Sequence, residues 1–508
     1  MRSTISAAVI IACATCGLAA EWPQAAGPHG NFVVDGRAVD HFSVATNQNV
    51  VWRVPLPSTG QGTPIVSSGR VFLTSHEPIT KDAETGSMIL GLCFDAKTGQ
   101  ELWRREIPGT RVTDLSSLFS DNTAASPVAD GSRVLFTNVG GMLKCFDFSG
   151  TEQWMFQWGP FGRHHARQHE PILHNGHAIL VQVPREDLTP EVTTKAGAAP
   201  LGRGEEYWTR LQAFDLKTGQ RKWIASAGTS CHSTSLIGQT VDGTAAILTG
   251  RGGGHQPPEE PYGLSLVNAD DGSTLWELPI QGYAAHQSAS WNQEVACLFA
   301  GSEHLAVDIQ TGKVRSRTSV ADGVTIRRHT DAGYQTETRQ TLKKARSPLT
   351  KQGNCLVGNY HYFRAHDEFL IGRVNIQSGK VEYLQVPVQV IRRAGADDEI
   401  RWTGPLPNDM KNADGFVATQ DRRNAGSGWG HVSAASPIVV GEHLYMPTMI
   451  GMVYVLKWNA ETLDENALVS ISDLGPAGET WSLSSLSFSG GRLYARTLKE
   501  LICLGAAK

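Results

Sequence analysis

Histidine recurs in this sequence in one setting, a few residues ahead of a short apolar stretch. His165 and His169 precede Pro171-Ile172, His232 precedes Leu236-Ile237, His286 precedes Ser288-Ala289, and His431 precedes Pro437-Ile438. A neutral imidazole is a good ligand for a divalent transition metal, and Glu170 or Gln287 would complete a shell. Arg163, Arg167 and Arg251 lie close by in the sequence, and a guanidinium binds a carboxylate or sulfate through paired hydrogen bonds. The chemistry on offer is therefore a metal site or an anion-binding cleft. Register tempers the first. His165 and His431 each stand six residues before their proline but His169 only two, and ligation needs bonds near about 2 Å. The plainer role for these imidazoles is hydrogen bonding to backbone. Gly-x-Ser-x-Gly, His-Glu-x-x-His and Cys-x-x-Cys are absent. Arg251-Gly252-Gly253-Gly254-His255 lacks the Lys-Ser/Thr ending of a phosphate loop and reads as a flexible segment.

The elements that must position these residues are repeats. An aspartate or asparagine, a turn ending in glycine and an aromatic residue four places later recur. The copies run from Asp95 to Gly99 with Trp103, Asp147 to Gly150 with Trp154, Asp215 to Gly219 with Trp223, and Asn268 to Gly272 with Trp276. Weaker copies run from Asp308 to Gly312 with Ser316 in the aromatic place, and from Asn375 to Gly379 with Tyr383. The interval is that of a propeller blade. Each copy is a hairpin in which Asp or Asn caps the turn and glycine takes the left-handed conformation, leaving the tryptophan to pack between sheets. Ahead of each lies a second motif, small polar, proline, apolar strand, clearest at Thr63-Pro64, Ser126-Pro127 and Ser436-Pro437, with looser copies from Glu170, His232, Gln287, Ser347 and Leu483. Eight inner strand pairs result. Val50-Val51-Trp52 reads as an outermost strand without predecessors and Leu501-Ile502-Cys503-Leu504 as a third strand without a follower, so both chain ends complete one blade. Closing a ring in this way removes its exposed edges. The expected architecture is all-β, an eight-bladed propeller over residues 21–508. The weak turn near Asn459 leaves seven blades as the alternative. Segments near 185–206, 318–346 and 387–429 exceed hairpin length and read as loop insertions, either functional or decorative. In a propeller the residues before each inner strand converge on one channel mouth, which is where the histidines would meet.

Residues 1–20 have the basic start, apolar run and small residues of an export signal, and Ile10-Ile11-Ala12-Cys13 raises a lipoprotein anchor at Cys13 as the alternative. A periplasmic or secreted protein is expected, at the membrane only if lipidated. The near-neutral charge of -4, without runs of like charge, excludes an electrostatic grip on nucleic acid. Cys93, Cys145 and Cys503 occupy one place in the repeat, held by Ala213 in another copy. A place that accepts Cys or Ala is a tight core position, so free buried thiols are expected there and at Cys231, Cys297 and Cys355.

The pattern Phe-Asp-x-x-Thr-Gly-x-x-x-Trp at Phe94 to Trp103 resembles the tryptophan-docking repeat of quinoprotein-like, pyrroloquinoline quinone (PQQ) propellers. Trp22-Pro23-Gln24 with Gly27-Pro28, and Trp52-Arg53-Val54-Pro55 before Gly62-Thr63-Pro64, resemble exported bacterial PQQ-like repeat proteins. The resemblance implies either a quinone-dependent dehydrogenase or a protein that keeps the fold without the cofactor, such as a scaffold of outer-membrane protein assembly. The dehydrogenases carry adjacent cysteines against the quinone and calcium on Glu, Asn and Asp. Here no two cysteines adjoin, and Asp121-Asn122 supplies only part of such a set. PQQ is therefore not the expected cofactor. The expectation is a monomeric binding or scaffolding propeller for a protein or carbohydrate. Its rival is a metal-dependent lyase or hydrolase of acidic polysaccharide using His165, His169, His232, His286 and His431.

Overall fold

The computed structural model describes residues 21–76, 88–110, 122–160, 169–182, 186, 189, 205–230, 234–252, 262–281, 283, 287–342, 353–365, 369–411, 417 and 435–506. These residues form eight blades, each built on four antiparallel strands running from inner to outer, and two of the blades carry added strands. Blade 1 is Ile65–Ser67, Arg70–His76, Met88–Asp95 and Glu101–Pro108. Blades 2 to 7 begin at the inner strands Val128–Ala129, Ile172–His174, Leu236–Gln239, Ser290–Trp291, Cys355–Val357 and Ile438–Val440. Blade 8 is made of Ser487–Ser489, Arg492–Arg496 and Glu500–Leu504, with Val50–Pro55 as its outer strand. Trp52 pairs with Cys503 and Val54 with Leu501, so the two ends of the chain share one sheet as expected. The seventh blade is complete, its third and fourth strands, Met452–Lys457 and Leu468–Asp473, joined by a longer connection around Asn459. Eight blades, not seven, close the ring.

The repeat explains itself at the seams between blades. Trp154, on the outer strand of blade 2, donates its indole N–H to the carbonyl of Leu216 in the blade 3 turn at 2.8 Å. Trp52, Trp103 and Trp276 reach Ala96, Phe148 and Ile309 of the following blade in the same way. The turn glycine serves two purposes. Gly219 has φ +73, and a Cβ there would stand 2.7 Å from Cδ2 of Trp154. The sequence thus needs glycine both for the backbone conformation and for room to seat the neighbour's indole. Gly176 has nearly the same φ, +75, but a Cβ there would meet nothing within 4 Å. Gly219→Ala is expected to lose about 2–4 kcal/mol and Gly176→Ala only about 1 kcal/mol, the difference being the displaced indole. Urea unfolding of both variants checks this, and equal losses would contradict the docking role.

Where the sequence suggested a loop at 318–346, the structure has a hairpin, Asp322–Thr330 with Gly333–Thr341. It adds to blade 6 by parallel pairing of Thr325, Ile326 and Arg327 with the outer strand at Glu382, Tyr383 and Leu384. Buried Val324 and Ile326 anchor it. This covers one exposed sheet edge, which is a physical reason for an insertion to be ordered. The inner strand of blade 6 is Cys355–Val357, later than the Ser347 start read from the sequence, and Ser347 itself lies outside the described residues. Within 387–429, Gln389–Ile391 and Glu399–Arg401 form a second small hairpin. Most of 185–206, and residues 1–20 with Cys13, lie outside the described residues.

The N-terminal segment crosses the channel at the end where the hairpin turns lie. Trp22 bridges Val66 of blade 1, the Pro23 carbonyl accepts from Ala129 of blade 2, and Gln24 Oε1 accepts from Leu173 of blade 3. Gly30 abuts Ile237 of blade 4, and Val33–Val34 pair in parallel with Val439 and Val440 of blade 7. Trp22 is wholly buried. One strip of chain therefore touches the inner strands of five blades before residues 50–55 complete the eighth. The opposite mouth, formed by the loops that lead into the inner strands, is where the candidate residues fall.

Candidate functional site

At Thr63, Ser126 and Glu170 the polar residue before the strand proline is a tie between neighbouring blades. Ser485 N–H of blade 8 donates to Thr63 Oγ1 at 3.1 Å, Thr63 N–H of blade 1 to Ser126 Oγ at 2.7 Å, and Ser126 N–H of blade 2 to Glu170 Oε2 at 2.6 Å. In each step a buried backbone donor is satisfied by the next blade's side chain, as buried N–H groups require. Burial pushes the Glu170 carboxyl up to about 7, against the bonds from Ser126 that favour its charged form. A half-neutral carboxyl is a poor hard-cation ligand.

His169 lies between blades 3 and 4. It is buried, its Nε2 lies 2.9 Å from Ser235 Oγ, and that hydroxyl donates to Thr249 Oγ1 at 2.7 Å. Burial pushes its pKa down to about 3, so the ring is neutral at all physiological pH. Gln287 is likewise used internally: its amide nitrogen donates to the Phe299 carbonyl and its oxygen accepts from Phe299 N–H. Asn122 is fully buried, and the adjacent Thr123 accepts from Gln61 N–H through Oγ1 and from Gly62 N–H through its carbonyl. Arg251, a candidate for gripping a free anion, is 3% exposed, ion-paired with Glu277 at 2.7 Å and set over the Trp208 ring. His165, His232, His286, His431, Arg163, Arg167 and Asp121 lie outside the described residues. Of the sequence candidates that are placed, His169 and Glu170 bond across to a neighbouring blade, whereas Gln287 and Arg251 bond within their own.

A different cluster escaped the sequence reading. His304 Nε2 and His361 Nδ1 lie 3.0 Å apart between blades 5 and 6, and His361 Nε2 is 3.0 Å from Asn354 Oδ1. Donation from Asn354 Nδ2 to the Ser288 carbonyl fixes the amide, so Oδ1 must accept and His361 must carry its proton on Nε2. His361 Nδ1 then accepts from His304. Burial holds both rings neutral, His304 at about 4 and His361 well below the ordinary value, the latter with a further push from His304. Cys297 joins them, with one donor atom from each of the three within 4.8 Å of the others. These are soft-metal ligand types. Burial, however, raises the Cys297 thiol, which keeps it protonated. The visible signal was an imidazole in a strand slot whose counterparts are apolar, Leu143, Leu211 and Leu264 for His304 and Val71, Val134 and Ala296 for His361.

The remaining cysteines are also apart. Cys93, Cys145, Cys297, Cys355 and Cys503 are free and buried, and burial pushes Cys93 and Cys145 to about 12. Cys231 lies outside the described residues. Among the described residues the cysteines lie apart from one another, and Glu170 Oε2 accepts from Ser126 N–H. No helix among the described residues is long and apolar enough to cross a membrane.

Comparison with known proteins agrees with the fold. Residues 92–291 match the family described as outer membrane protein assembly factor BamB. No curated protein sequence matches the chain. Among solved structures the chain is similar to quinohemoprotein alcohol dehydrogenase ADHIIG from Pseudomonas putida HK5, at 12% identity and TM-score 0.53, covering 96% of this chain and 81% of that one. It is similar to a europium-containing methanol dehydrogenase at 10% identity and TM-score 0.55, covering 96% and 98%. The quinohemoprotein alcohol dehydrogenase of Comamonas testosteroni stands at 12% identity and TM-score 0.53, covering 96% and 81%. Likeness at such identity speaks for fold and not for activity. With its docked indoles, its eight-bladed ring sealed by both chain ends and its matching stretch from 92 to 291, the chain has the fold of a PQQ-like β-propeller.

Proposed function

We propose that this propeller is an extracytoplasmic binding or scaffolding protein that engages a protein or carbohydrate through the loop-side mouth and its insertions. The observation that carries the reading is the commitment of the polar groups placed there. Thr63, Ser126, Glu170, His169 and Ser235 hold blades to one another, and a side chain used in that way is not poised for proton transfer or metal activation. The sequence features of residues 1–20 support export. The contact of His169 with Ser235 counts against the lyase or hydrolase alternative, and the lack of adjacent cysteines in the sequence counts against the dehydrogenase alternative.

The test uses the purified full chain. Incubation with PQQ, calcium, primary alcohols and a dye acceptor is expected to give no dye reduction above the quinone-only control. Elemental analysis is expected to show no stoichiometric metal that is lost in the His232→Ala/His286→Ala double variant. Quinone-dependent turnover, or such a metal, would overturn the binding reading in favour of an enzyme.

A further inference from the structure

At the opposite mouth, the N-terminal strip leaves a gap on one side as it crosses toward blade 7. A cavity of about 450 Å³ opens there, walled by Gln24 and Asn31 of the strip, His174 of blade 3, Gln239 of blade 4, and Trp291 and Gln293 of blade 5. Its volume is that of a small-molecule site. Nothing in the candidate chemistry above involves it.

The lining mixes apolar groups, among them Pro28, Leu173 and Ile237, with carboxamides and the imidazoles of His29 and His174. No Lys, Arg, Asp or Glu contributes to the wall, while five carboxamides do: those named and Asn292. Three of these are already held in place through their oxygens. Gln24 Oε1 accepts from Leu173 N–H at 2.8 Å, Asn31 Oδ1 from Val33 N–H at 3.0 Å, and Asn292 Oδ1 from Val295 N–H at 2.9 Å. What each has left is its amide NH2 group, a fixed neutral donor. Gln239 and Gln293 are exposed and offer both donor and acceptor. Trp291 is held by donation to the Leu236 carbonyl at 2.9 Å, and its ring lies against Gly238, where a Cβ would stand 2.9 Å from Cζ2. His174 is fixed by Asp270 at 2.8 Å.

We infer that this cavity binds a neutral carbohydrate. Fixed amide donors set among the partly exposed apolar groups of Pro28 and Leu173 suit hydroxyl and glycosidic oxygens carried on a ring with apolar faces. An anionic ligand is disfavoured because the wall holds no Lys or Arg and its His174 is already paired with Asp270, so a sequestered carboxylate loses hydration without a guanidinium or ammonium to replace it. The site lies on the face away from the loop-side mouth and stands whether or not the reading of that mouth holds.

Isothermal titration of the full chain with maltohexaose, cellohexaose and chitohexaose tests it. One of the three is expected to bind, and Gln239→Ala/Gln293→Ala to weaken it about tenfold or more, the scale of one or two lost hydrogen bonds. Both positions are exposed, so the variant should unfold at the same urea midpoint as the parent. Failure of all three sugars to bind, binding unchanged in the variant, or binding of a hexauronate in their place would each overturn the assignment.

Discussion

Replacing Glu382 by Ala is expected to cost about 3–5 kcal/mol of stability, the range for breaking a buried charge network by removing one partner. The Glu382 carboxylate accepts from Arg373 Nε at 3.0 Å and Nη2 at 2.7 Å, from Lys380 at 3.0 Å and from Arg327 at 3.3 Å. Burial alone would raise this carboxyl, but the bonds from Arg373 and Lys380 hold it below its ordinary value. The two guanidiniums also reach across the seam: Arg373 donates to the carbonyls of Ala460 and Glu461, and Arg327 to that of Leu463, all in the long connection of blade 7. The network therefore joins blade 6, its added hairpin and blade 7. Glu382→Ala leaves Arg373 and Arg327 sequestered together without their anion. By contrast Arg315→Ala, which removes an exposed pair with Asp308, is expected to cost less than about 1 kcal/mol. Urea unfolding of the two variants checks the ranking, and a Glu382→Ala protein as stable as Arg315→Ala would contradict it.

Acidification is expected to destabilise the protein by about 3–4 kcal/mol between pH 7 and pH 5. Three histidines are buried neutral: His169 at about 3, His304 at about 4, and His361 well below its ordinary value. Their folded pKa values lie below the unfolded value, so the unfolded chain takes up protons first. The stability they contribute is complete above about pH 6.5 and falls by about 1.4 kcal/mol per histidine for each pH unit below it. Glu170 acts oppositely. Its folded value of about 7 exceeds the ordinary 4.5, so its contribution is fully present below 4.5 and lost as pH rises through 7. Over the same interval it offsets roughly one histidine. Below pH 4.5 nothing further offsets the loss. The turn aspartates Asp95, Asp147, Asp215 and Asp308, held below their ordinary value by their turn hydrogen bonds and neighbours despite slight burial, then add to it. Urea midpoints at pH 7 and pH 5 measure the change. A His304→Gln/His361→Gln double variant should lose most of the pH sensitivity, and a wild-type midpoint that rises on acidification would refute the assignment.

What the sequence made legible was local and repeated. The Asp-to-Gly turn and its tryptophan are read within about ten residues, because the cap, the left-handed glycine and the docking indole belong to one hairpin, and Trp154 on Leu216 shows why the spacing is kept. The ends near Trp52 and Cys503 could be joined because each was an incomplete sheet. The hairpin at 322–341 was missed because it is a single layer on a sheet edge. Residues such as Gln335, Glu337 and Gln340 line its outer strand with little apolar pattern, and its burial rests on a few positions such as Val324 and Ile326. The crossing of the channel by Trp22 to Val34 has no periodicity to betray it, since each residue meets a different blade. The candidate site was legible only in residue type. Proline-adjacent Thr63 and Ser126 were noticed, but their purpose depends on partners far along the chain, 63 residues apart for Thr63 and Ser126 and 44 for Ser126 and Glu170. His304 and His361, 57 residues apart, meet only because blades 5 and 6 stand side by side.

All of this depends on one ring in which residues 22–34 cross the channel and residues 50–55 complete the last blade. Hydrogen exchange measured by mass spectrometry on the intact protein reads both directly. The amides of Trp22 and Val66, which pair with each other, and those of Val50–Pro55 that face Glu500–Leu504 are expected to exchange as slowly as those of the blade 1 strand Arg70–His76. Exchange of 22–34 or 50–55 at the rate of an unfolded chain, beside protected blades, would contradict it.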